Sequence, residues 1–164
     1  MNENHWQALQ QTQELVRFAD TKSGAVLAAQ IAIFAVAAPS TIENYDLLLT
    51  SPCSIWLIIA CSLSALLSIG LALLVIIPRI SVGEPKSLIF FSHIDKAYSS
   101  GEAFSSHAKP YYNDSEEFSN QILEQIWAVS KVAAKKHRLC AISLILFGIE
   151  LAFLFALLII ATTL

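Results

Sequence analysis

Residues 114–164 read DSEEFSNQILEQIWAVSKVAAKKHRLCAISLILFGIELAFLFALLIIATTL, and the reading of this stretch decides the fold. It opens as a charged amphipathic pattern and closes as an apolar one, with no Gly or Pro where the character changes. Asp114-Ser-Glu-Glu117 has the form of a helix start: an Asp cap followed three residues later by a Glu. Phe118, Ile122, Ile126, Val129 and Ala133 continue at helical spacing, with Trp127 beside them. A basic collar, Lys135-Lys136-His137-Arg138, separates the halves. Residues 139–164 contain a single charge, Glu150, over 26 positions, enough at about 1.5 Å per residue to cross a hydrocarbon core of about 30 Å. One helix is therefore expected to cross a membrane and continue into the cytosol.

Working outward, residues 53–77 form a second uncharged run, with Ser62, Ser64, Ser68 and Gly70 as small residues suited to helix–helix contact. Residues 24–38, GAVLAAQIAIFAVAA, are a third. This run is short and Ala-rich, so residues 23–38 are expected to sit against other helices, ended by Pro39-Ser40. It continues an amphipathic helix over 1–22, where Trp6, Leu9, Gln13, Val16 and Asp20 keep a 3,4 spacing. With 55% hydrophobic and 14% charged residues in 164, the composition is that of an integral membrane protein with too little soluble chain for a large independent core. No basic stretch leads into an early apolar core, so no cleavable signal peptide is expected.

All ten Lys and Arg lie in 1–22 or 79–138, and positive residues stay in the cytosol. The expected fold is an all-α integral membrane protein with three transmembrane helices (23–38, 53–77 and 139–164), N-in and C-out. Its long helices extend into a small cytosolic helical region at 79–138, with a helix at 114–138. Within 79–113, residues 92–99 read as a short helix, Gly101 as a stop, and Lys109-Pro110-Tyr111-Tyr112 as a turn.

Glu150 stands near the middle of the last span, where an ionised carboxylate costs at least about 2.5 kcal/mol on insertion scales. It is expected to face protein or water, or to be neutral, as a pore or gate acid or as a partner of Gln30, Ser64 or Ser68. Gln30 reads foremost as interhelical glue. The collar residues Lys131, Lys135, Lys136 and Arg138 set topology and meet anionic lipid; a nucleotide phosphate is their functional alternative, with Arg79, Lys86, Lys96 and Lys109 adding charge. Tyr98, Tyr111 and Tyr112 offer faces on which a base can stack. Catalysis is not expected. His5, His93, His107 and His137 have no metal spacing, Cys53, Cys61 and Cys140 have none either, and no nucleophile or phosphate-loop motif occurs. No metal or cofactor is implied.

With these residues laid out, the chain resembles the transmembrane-effector family of Pycsar anti-phage systems (PycTM-like). The likeness rests on Phe18-Ala-Asp-Thr-Lys-Ser-Gly24, similar to an ADTKAG-type signature, and on Pro78-Arg79 followed by Leu88-Ile-Phe-Phe-Ser-His93. Its third part runs from Gln121-Ile through Ser130-Lys to Lys136-His-Arg-Leu139, so it covers nearly the whole chain. The resemblance implies a bacterial inner-membrane effector that responds to a nucleotide or oligonucleotide second messenger from a partner cyclase or nucleotidyltransferase. It carries Asp20, Lys22 and Arg79 over as functional positions, role unspecified. These 164 residues hold no separate cyclic-nucleotide-binding domain, so sensing is expected to use the cytosolic helices, an oligomer interface or a partner. Asp20 with Arg79 or Lys22 forms a candidate gate network. The combined expectation is a homo-oligomeric channel or pore, opened or held shut by the signal, that depolarises infected cells. The alternative is a non-conducting scaffold that docks a cytosolic partner.

Overall fold

The computed structural model describes residues 2–43, 51–78 and 87–163. Among them are five helices and no strand: α1 (Asn2–Glu43), α2 (Pro52–Ile76), α3 (Phe91–Ala97), α4 (Gly101–Asn113) and α5 (Ser115–Thr163). Helices α1, α2 and α5 are each long and apolar enough to cross a membrane. The chain divides into two compact units, Met1–Phe18 with Pro78–Lys135, and Ala19–Ile77 with Lys136–Leu164. Arg79, Lys86 and residues 44–50 of the 39–52 loop lie outside the described residues.

Three local expectations are overturned. Pro39 does not end the first apolar helix, which runs on to Glu43. The proline withholds one N–H from the carbonyl four residues back, and near a helix end that single loss is tolerated. Just beyond it, the Thr41 hydroxyl donates to the Ala37 carbonyl at 2.8 Å. Gly101 is not a stop but the first residue of α4, because the preceding Ser100 caps it: its Oγ accepts from the Ala103 N–H at 3.2 Å. Residues 109–112 are helix rather than turn, with Pro110 inside the last turn of α4.

Where α4 ends, Asp114 starts α5 as its sequence pattern requires. Its Oδ1 accepts from the Glu116 and Glu117 N–H groups at 3.0 and 3.2 Å. Replacing Asp114 with Ala leaves both donors to water and is expected to cost about 1 kcal/mol. Hydrogen exchange should show it as roughly fivefold faster exchange confined to the first turn of α5; unchanged exchange there would refute the cap.

The second unit is polar inside and apolar outside. The buried positions are Ala19, Ser23, Val26 and Gln30 on α1; Ser54, Cys61, Ser64, Ser68, Ala72 and Val75 on α2; and Lys136, Cys140, Ser143 and Glu150 on α5. Each set keeps 3,4,7 spacing, so each helix turns one stripe of small or polar residues inward. The outward faces carry Ile31, Phe34, Trp56, Leu66, Ile145 and Phe155, all exposed. Apolar exposure on this scale is what an acyl-chain solvent rewards and water does not.

Candidate functional site

The inward stripes of the second unit meet level by level. At one level Ala19, Val75 and Cys140 form a buried apolar cluster, with Leu139 packed against them. Beside it the Lys136 Nζ donates to the Asp20 Oδ1 at 2.6 Å, the lysine side chain being 5% exposed and the aspartate 35%. Further along, Ser68 and Ser143 bond reciprocally. Each hydroxyl donates to the other residue's backbone carbonyl at 2.9 Å.

At a third level the Gln30 Nε2 donates to the Glu150 Oε2 at 3.0 Å, both residues being buried. The Cys61 thiol lies 3.8 Å from the Glu150 backbone carbonyl. Ser64 is at hand on α2, but its hydroxyl turns back to the Cys61 carbonyl at 2.8 Å. Of the partners proposed for Glu150, Gln30 is therefore the one that bonds it. Ser23 Oγ, Gln30 Oε1 and Ser54 Oγ are buried without a protein partner.

The first unit holds a different kind of site. Leu88 is clamped through both backbone groups: its N–H donates to the Gln121 Oε1 at 3.4 Å, and its carbonyl accepts from the Tyr112 hydroxyl at 2.9 Å. Partial burial raises the Tyr112 pKa above the usual phenol value. Trp6 stacks on Phe118 at 6.5 Å, and Tyr112 meets the edge of the same ring at 5.2 Å.

Over the clamped segment lies a cleft of about 220 Å³ lined by Ser87, Leu88, Ala97, Tyr98, His107, Tyr111, Glu117 and Gln121. Its ring wall is continuous, with Tyr98 and His107 centroids 5.6 Å apart and His107 and Tyr111 5.4 Å apart. The cleft falls below the roughly 300–1,000 Å³ of a drug-sized site.

Residues 4–163 match the family described as PycTM, the Pycsar effector protein domain. The chain belongs to this family. PycTM proteins are Pycsar anti-phage effectors, so the apolar helices and polar interior described above belong to an antiviral effector. No curated protein and no solved structure matches the chain.

Asp20, a position that the resemblance carries over, is paired with Lys136. Lys22 is exposed on α1, and Arg79 lies outside the described residues. Lys136 is thereby set apart from its collar neighbours: it is buried, whereas Lys131, Lys135 and Arg138 are exposed. Lys131 lies over the Trp127 ring at 3.7 Å. Along α5 it stands 14 residues beyond the cleft residue Glu117, about 21 Å at 1.5 Å per residue. The structure thus separates the aromatic cleft from Lys131, by more than one mononucleotide can bridge. Sequence reading missed the Lys136–Asp20 pair and the roles of His107, Glu117 and Gln121 in the cleft. The signal for Lys136 was present, since it shares the 3,4,7 stripe of Cys140, Ser143 and Glu150.

Proposed function

We propose that this PycTM chain is a homo-oligomeric membrane channel of the bacterial inner membrane, N-terminus in the cytosol, that depolarises infected cells under control of a nucleotide signal made by a partner enzyme. The observation that carries the reading is the inverted character of the second unit. Three helices with lipid-compatible exteriors hold an ion pair, a carboxyl and a row of hydroxyls inside. Intramembrane ionisable groups are costly and persist where they serve conduction or gating. A static membrane anchor would gain more from an apolar interior.

Sensing belongs to the first unit in this reading. The Tyr98–His107–Tyr111 wall takes the base. Lys131 and Lys135 meet lipid phosphates, or the far end of a longer oligonucleotide. The Asp20–Lys136 pair is the gate contact.

The test is membrane potential in bacteria carrying the chain with and without its signal-producing partner, followed by a voltage-sensitive dye during phage challenge. Rapid depolarisation that depends on the partner supports the channel. A steady potential alongside stable co-purification with a cytosolic protein would instead establish the scaffold, which the exposed Trp6, Leu123 and Trp127 of the first unit favour. Base stacking contributes about 1–3 kcal/mol. Tyr98→Ala should therefore raise the signal concentration needed for depolarisation by at least about fivefold; an unchanged dose–response would remove the cleft from sensing.

A further inference from the structure

Among the described residues, three unpartnered polar atoms of the second unit lie on its inward stripes. Gln30 Oε1 lies beside the Glu150 carboxyl, since the other end of the same amide is bonded to it. Ser23 shares the α1 stripe between Asp20 and Gln30, and Ser54 lies on the α2 stripe seven residues beyond Cys61. Each of these three side chains is at least nine-tenths buried. Buried hydroxyl and amide groups without a protein partner are satisfied by water, which needs two to four polar neighbours.

The polar groups also extend along the bundle. From the Val75 level to Ser54, α2 runs 21 residues, about 31 Å, which is the thickness of a hydrocarbon core. The Asp20–Lys136 pair stands at one end of this run. The Ser68–Ser143 hydroxyls and the Gln30–Glu150 pair follow within it, and Ser54 marks the other end.

We propose that the interior of the second unit is a water-mediated proton path through a single chain, with the Glu150 carboxyl as its relay. This inference rests on the conducting reading above and names both the permeant ion and the route. A hydrated metal cation needs a bore that three close-packed helices do not enclose, so its route would lie between copies. A proton needs only groups that both give and accept hydrogen bonds. Serine hydroxyls and water do so, and a carboxyl can take a proton from water on one side and return one on the other. The bookkeeping closes with no co-reactant: one O–H bond forms at Glu150 as a hydronium proton arrives, and one breaks as it leaves. At the Ser68–Ser143 level each hydroxyl hydrogen is held by a carbonyl, and hydroxyl rotation reopens the chain there.

The experiment uses the full-length protein in liposomes, with an internal pH dye and valinomycin to clamp the potential, and a parallel K⁺ efflux measurement without valinomycin. Wild-type protein should pass protons at least tenfold faster than protein-free vesicles and pass no K⁺. Glu150→Gln keeps a side chain that can bond Gln30 but cannot relay a proton, and should return proton flux to the protein-free rate. Glu150→Asp should restore part of it. Circular dichroism of each variant checks the fold. K⁺ efflux that matches proton flux and ignores Glu150→Gln would overturn the proton path while leaving a channel between copies standing. No flux of either ion from the wild type or from Asp20→Asn, in which the proposed gate contact is broken and no signal is needed, would overturn the path as well; joined to a steady membrane potential in the challenged cells, it would overturn the channel reading too.

Discussion

Asp20→Asn is expected to be the most damaging conservative substitution in the second unit, and more damaging than Lys136→Met. The pair is asymmetric: the lysine side chain is 5% exposed and the aspartate 35%. Removing the aspartate's charge strands a buried ammonium, and breaking a buried pair in this way costs about 3–5 kcal/mol. Removing the lysine leaves a carboxylate that water can still reach, at a smaller cost, and an unbranched thioether fills the space of the lysine stem. The double variant Asp20→Asn/Lys136→Met should recover most of the loss, because an apolar replacement of both partners is often near neutral. Unfolding of detergent-solubilised protein measures all three. Equal single effects, or an Asp20→Asn change within about 0.5 kcal/mol of wild type, would show that the contact holds nothing. If this contact is also the gate, cells carrying Asp20→Asn should depolarise without any signal.

The second large effect concerns Gln30. Its amide gives the Glu150 carboxyl a hydrogen bond from across the bundle. Gln30→Leu leaves a carboxyl that is 5% exposed without that donor, and an unsatisfied buried polar group costs about 1–3 kcal/mol. Gln30→Leu/Glu150→Leu removes both partners and should lie within about 1 kcal/mol of wild type, or above it. The non-additivity is the signature of a direct contact. Additive losses would mean that each side chain is held by something else. The proton measurement separates stability from function, since the double variant should fold and conduct nothing.

What sequence made legible follows from range. Helix periodicity is local, so three apolar helices, the amphipathic run from Phe118 to Ala133 and the Asp114 cap could all be read from spacing. Polar residues inside apolar runs are rare enough to be noticed singly, which is how Gln30 and Glu150 stood out before their contact was seen. Lys136 and Asp20 lie 116 positions apart, and no local pattern pairs them. Lys136 also had a sufficient local explanation as one of four neighbouring basic residues, which hid its place on the buried stripe. Pro39, Gly101 and Pro110 misled in the opposite way. Each is a helix breaker by its own chemistry, yet Gly101 opens its helix, and Pro39 and Pro110 lie about a turn from the C-terminal ends of theirs, where each removes one backbone hydrogen bond and few residues follow to be disrupted.

The contacts of the second unit also share one register. Lys136, Ser143 and Glu150 all project from α5 toward fixed partners, and the Ser68–Ser143 exchange pins α5 to α2 through backbone carbonyls on both sides. A shift of α5 by less than a turn would break all these bonds and make none, so sliding must proceed by whole turns of about 5.4 Å. Moving one way brings Cys140, a small side chain, opposite Ser68; moving the other way brings Phe147, which needs far more room. A one-turn slide toward Cys140 would therefore meet less steric resistance than one toward Phe147. Either slide would break Asp20–Lys136 and Gln30–Glu150 in the same motion, so the two buried contacts hold or fail together.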